Sequence, residues 1–169
     1  LADIIPLMIL GWALAGLVAG PEELADRQQA DDWTQRFTEQ YVKAIKSGSP
    51  RDLQLIKDMA LNPKEADVQA FTTWYSFQGN VCFVTMLLAL ALQEWLLAGR
   101  TLGKRIFNLR TIGLPDAEPP GFLPSLIRSA WKAAFFALPN PFFILLGIVN
   151  FHVPLFRRDK RAWHDLWTR

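Results

Sequence analysis

Cysteine is nearly absent from this 169-residue chain. Cys82 is the only one, so no intrachain disulfide and no cysteine metal cluster can form. Set inside an apolar run, it is expected as a small buried hydrophobe. Histidine is almost as scarce: His152 lies among apolar residues and His164 beside Asp165, and neither has companions at metal-ligand spacing, so no metal site is expected. There is no phosphate loop, no GxSxG string and no Cys/His nucleophile pair, which leaves neither an enzyme nor a cofactor to expect. Aromatics do not interleave with the cations, as a nucleic-acid surface would require; they sit inside apolar runs, so nucleic acid is not an expected partner.

What the chain does have is apolar segments diluted by one polar block. Hydrophobic residues make up 51%, yet mean hydropathy is only +0.12. Residues 1–75 carry 7 Lys/Arg against 11 Asp/Glu, net −4, whereas residues 76–169 carry 11 against 5, net +6. An asymmetry of that kind fits a membrane protein with its basic part at one face. The expected fold is all-α: a polytopic helical membrane protein with two clear spans, a Pro-broken helical hairpin and a small extracytoplasmic helical insertion.

The first membrane helix is placed in residues 1–20. Ile4 to Ala19 carry no charge, but sixteen helical residues rise only about 24 Å, short of the roughly 30 Å hydrocarbon core. The span is therefore expected to begin upstream of Leu1, with Asp3 inside it. A cleaved signal peptide is the alternative; Asp3, the lack of a basic start and the lack of an AxA site argue against it.

Residues 21–78 form the insertion, a helical cap. Trp33, Phe37, Tyr41 and Ile45 recur every fourth residue, a stripe on a helix that should stop at Ser47 and Gly48. Ser49, Pro50 and Asp52 open a second helix, and Asn62, Pro63 and Glu65 a third that runs to Tyr75. If the stripe closes on those helices the cap is self-contained; if it stays exposed it is a docking surface for a partner.

Residues 79–98 have the length of one crossing, with Glu94 near its end. A cytoplasmic linker follows at 99–121. Its cations Arg100, Lys104, Arg105 and Arg110 place it on the cytoplasmic side by the positive-inside rule, and so put the cap outside. Alternation at Ile106, Leu109 and Ile112 predicts a short strand or hairpin. In the next segment, 122–156, Ser125, Arg128, Ser129 and Lys132 form one polar stripe on an apolar helix, and Pro139 and Pro141 break it. Basic flanks on both sides predict a hairpin; one interfacial helix followed by a thin crossing is the alternative. The tail 157–169 is basic and cytoplasmic, with Arg157, Arg158, Lys160 and Arg161 suited either to topology anchoring or to anionic lipid headgroups.

Ionisable groups at membrane depth cost roughly 2.5–3.5 kcal/mol, so they face the interior and pair. Asp3, Arg128 and Lys132 are the candidates, with Glu94 and Asp165, near the cytoplasmic boundary, as the partners to expect. They are read either as an ion relay, with Asp3 titrating against Arg128, or as a structural ion pair fixing helix packing. The bilayer, anionic lipids, and either other membrane subunits or copies of this chain are the expected partners.

Asp3 in a first apolar helix, the string GRTLGKRIFNLRTIG (Gly99 to Gly113, including Thr101 and Gly103), the arginine of LIRSAWK (Arg128) and the closing RRDKRAWHDLWTR (Arg157 to Arg169) together resemble the RDD family of small bacterial membrane proteins. The resemblance implies that Asp3 and Asp165, the latter after His164, are the two family aspartates, and that the family arginine falls before Leu1. It implies a bacterial cytoplasmic (inner) membrane location and two functional classes: transport, cation/proton exchange included, or an accessory subunit.

Overall fold

The computed structural model describes residues 2–112, 118–137 and 141–156. Among them the chain is helical throughout, with no strand. Its helices are α1 (Ile4–Val18), α2 (Pro21–Ser47), α3 (Pro50–Leu61), α4 (Glu65–Leu96), α5 (Leu102–Ile106), α6 (Phe122–Ala137) and α7 (Pro141–Phe156). Two compact units result: Leu1–Leu17 with Gln78–Arg169, and Val18–Phe77. Helix α4 contributes its first part to the second unit and the rest to the first.

In the Val18–Phe77 unit, local signals set the helix ends. Pro21 stands at the first turn of α2, and Glu23 reaches back to accept from the Gly20 N–H at 2.9 Å, satisfying a donor the helix start would leave bare. Gly48 ends α2 in the left-handed region at φ 60°, donating its N–H to Ala44 O, and Pro50 opens α3 at once. Asn62 closes α3, and α4 begins at Glu65. Trp33 stacks on Phe37 at 5.2 Å and meets Phe71 of α4 edge-on at 5.3 Å, so the first half of the stripe is packed. Buried Asp67 accepts from Gln29 Nε2 and from Arg36, and the Arg27 guanidinium lies 5.5 Å above the Trp74 ring.

The separate third cap helix and second span anticipated at 63–75 and 79–98 are one continuous helix. A lone buried Gly79 costs such a helix only about 1 kcal/mol, too little to break it. Helix α4 is long and apolar enough to cross a membrane. By itself α1 is 15 residues, about 22 Å, and it meets the same length test only when taken with α2.

The other unit is built on a core of Ile4 and Leu7 from α1, Cys82, Met86 and Leu90 from α4, and Ala133 and Ala137 from α6. Small residues set how closely these helices approach. A Cβ on Gly11 would lie 2.8 Å from Cys82 Sγ, and one on Gly147 of α7 would lie 2.8 Å from Phe135 Cβ of α6. Cys82 is thus a packing residue, as its apolar setting implied. The strand anticipated after Arg105 is absent from the described residues. Instead Thr101 caps the five-residue helix α5, and Asn108, at φ 51°, ends it.

Candidate functional site

The site is assembled where α4 ends. Gly99 takes φ 84° and donates its N–H to Glu94 O at 2.7 Å, which turns the chain sharply back. The Thr111 N–H then donates to Gly99 O at 2.8 Å. The approach is so close that a Cβ on Gly99 would lie 2.2 Å from Thr111 O. This return loop lays Lys104 and Thr111 over the last turns of α4.

Glu94 is fully buried, at 0% exposure, in the last turns of a helix whose carbonyl end is already negative. It therefore needs positive partners. Its Oε1 accepts from Lys104 Nζ at 2.6 Å, from the Thr111 hydroxyl at 2.7 Å and from Arg128 of α6 at 3.4 Å. Lys104 Nζ also donates to Thr111 Oγ1. Lys132, one turn beyond Arg128, acts electrostatically on the same carboxylate. An ion pair held this deep is costly to break: removing one partner strands the other charge, at roughly 3–5 kcal/mol.

A second cluster joins α1 to the same loop. Asp3 lies just ahead of α1, with its carbonyl accepting from the Leu7 N–H. Its Oδ1 accepts from the Gly103 N–H at 2.6 Å and its Oδ2 from the Thr101 hydroxyl at 2.6 Å. Thr101 Oγ1 in turn accepts from the Lys104 N–H at 3.3 Å, so Thr101 caps α5 and holds Asp3 with one hydroxyl. Gly103 admits the carboxylate because it has no side chain: a Cβ there would sit 2.6 Å from Asp3 Oδ2. Gln93 completes the loop by accepting from the Leu102 N–H through Oε1 at 3.1 Å.

Asp3 and Arg128, anticipated as acid and countercharge, therefore belong to different groups. Asp3 serves α5, and Arg128 serves Glu94. Of the motif residues, Gly99, Thr101, Gly103 and Lys104 make the loop's defining contacts, whereas exposed Arg105 and half-buried Arg100 contribute backbone N–H groups, to Thr101 O and Leu97 O. His164, Asp165, Arg157, Arg158, Lys160 and Arg161 lie outside the described residues. In the cap, Trp33 and Phe37 are half-buried, but Tyr41 is 50% and Ile45 64% exposed. Thr111 escaped sequence reasoning altogether. Its only signal was a lone hydroxyl in the stretch after a Gly-bracketed cationic turn.

Outside the membrane helices, Asp52 in the cap has its carboxyl held below the usual aspartate range. The chief cause is the Ser47 hydroxyl, which donates to Oδ2 at 2.8 Å; Gln40 and Lys43 add to it against some desolvation.

A family model, that of the RDD family, matches residues 1–169. No curated protein and no solved structure matches the chain.

Proposed function

The chain belongs to the RDD family, and on that premise we propose that this membrane protein is an accessory or scaffold subunit of a larger membrane complex in the bacterial cytoplasmic membrane. Its cap lies on the extracytoplasmic side; residues 99–121 and the C-terminus lie on the cytoplasmic side, where the basic tail meets anionic lipid. The cationic loop at 100–110 supports that orientation. The carrying observation is the stripe on α2. Trp33 and Phe37 are used up inside the cap, while Tyr41, Val42 and Ile45 stay exposed on the remaining turns, an apolar face of the kind partners cover.

The test is mild-detergent purification of the full chain from its native membrane, with mass and composition read by native gel and mass spectrometry. A fixed set of larger membrane proteins should co-purify with the wild type and be lost with Val42→Asp/Ile45→Asp, a pair of exposed changes that leaves the Trp33, Phe37 and Tyr41 stack in place. Recovery as a homo-oligomer alone would sink the subunit reading. It would favour the second one, small-solute or cation/proton transport by an oligomer, to which the buried charges around Glu94 and Arg128 lend support. Liposome flux with Asp3→Asn and Arg128→Gln would then decide.

A further inference from the structure

Glu94 takes all its donors on one oxygen. Oε1 accepts from three groups, while Oε2, buried as deeply, has no hydrogen-bond partner. The Ser125 and Ser129 hydroxyls share that condition: both residues are 0% exposed and neither oxygen has a partner. A helical hydroxyl ordinarily escapes this by donating to the carbonyl four residues back. Thr34 and Thr72 do so here, at 2.9 Å to Ala30 O and 2.9 Å to Val68 O. The two serines do not.

The two serines belong to one polar stripe of α6, joined to Glu94 of α4 through Arg128. Ser125 and Ser129 are four residues apart on α6 and flank Arg128, whose guanidinium reaches Glu94. Three bare polar atoms, two on this stripe and one on the carboxylate that its Arg128 holds, are more than a protein interior keeps dry. The charges around them select the ligand. Lys104, Arg128 and Lys132 oppose a further cation, and the open Glu94 oxygen opposes an anion. Water is neutral, donates to a carboxylate and both donates to and accepts from a hydroxyl.

We propose that Glu94 Oε2 and the Ser125 and Ser129 hydroxyls line a hydrated site that holds ordered water against the Glu94–Arg128 pair. This water solvates the carboxylate oxygen that the cations leave open. The proposal stands whether or not the cap docks a partner.

Alanine variants test it by sign. A dry orphan hydroxyl is a burden, so Ser125→Ala and Ser129→Ala would raise the Tm; a hydroxyl that holds water is an asset, so each should lower it by about 2–5 °C. The melts are run on the full chain in detergent, in sodium chloride, potassium chloride and N-methyl-D-glucamine chloride, and the fall should be the same in all three. Radiolytic hydroxyl-radical footprinting of the unmodified protein, read by mass spectrometry, needs no variant to fold. Glu94 should be oxidised by radicals from adjacent water, while Met86 and Cys82, intrinsically more reactive but in the dry core, stay unmodified. An unmodified Glu94, or a rise in Tm for both alanine variants, overturns the proposal. Stabilisation that requires sodium or potassium and vanishes in the alanine variants overturns it too, in favour of a bound cation.

Discussion

Gly103→Ala sets helix propensity against tertiary geometry, and the two predict opposite signs. Within α5, exchanging Gly for Ala should stabilise by about 0.5–1 kcal/mol through backbone entropy. The new Cβ, however, would lie 2.6 Å from Asp3 Oδ2 and 2.9 Å from Asp3 Cγ, separations that a carbon cannot keep. The carboxylate must withdraw and release the Gly103 N–H and Thr101 hydroxyl that it holds at 2.6 Å each. A hydrogen bond to a charged group contributes about 1.5–3 kcal/mol, so losing even one outweighs the propensity gain. We expect a net loss of about 1–2 kcal/mol, and about 2–8 °C in Tm for a chain of this size. The assay is thermal unfolding of the full chain in detergent, run as a double-mutant cycle with Asp3→Ala. Once the carboxylate is gone the clash largely goes with it, so Gly103→Ala should become neutral or stabilising, with a coupling of at least about 1 kcal/mol. Equal stabilisation by Gly103→Ala in both backgrounds would refute the reasoning.

Glu94→Gln removes the buried negative charge that Lys104 and Arg128 face and should cost about 3–5 kcal/mol, read as loss of monodisperse protein or a collapse of the melt; adding Lys104→Met should restore part of it. Gly99→Ala and Gly48→Ala both place alanine at positive φ, but only the first meets a backbone oxygen. We expect about 1–2 kcal/mol for Gly48→Ala and distinctly more for Gly99→Ala in the same assay. Ser47→Ala should raise the Asp52 titration midpoint, followed by carbon-detected NMR. Since the folded carboxyl is held below its ordinary value of 3.8, its stabilising contribution is present above that value and is lost as pH falls through the folded midpoint.

How much was legible follows from the range of each signal. The C-terminal end of α2 and the start of α3 were plain from Gly48 and Pro50, because glycine at a helix end and proline at a helix start act within one turn. The continuity of α4 was missed because Gly79 and the Trp74/Tyr75 pair look like a boundary, although a helix with partners on both sides carries a single glycine. The Thr101 cap set α5 just ahead of the anticipated strand, and Ile106, Leu109 and Ile112, three apart rather than two, carry no strand period, so 109–112 run as irregular backbone. Glu94 and Arg128 stood out as charges in apolar helices, and Glu94 was one of the partners open to Arg128, but sequence could not single it out because 34 positions separate the two.

By itself the sequence determined the all-helical character, the apolar helix able to cross a membrane and membership of a family that matches its whole length. These depend on periodicity, composition and caps, all properties of neighbouring residues. Tertiary structure alone decided that Asp3 holds α5 instead of facing Arg128, that Lys104 turns inward to Glu94 although its neighbour Arg105 is exposed, and that the α2 stripe is covered at Trp33 yet open at Ile45. Contacts spanning 98 and 100 residues, as from Asp3 to Thr101 and Gly103, form only where the folded path returns the chain, and no local pattern encodes that path.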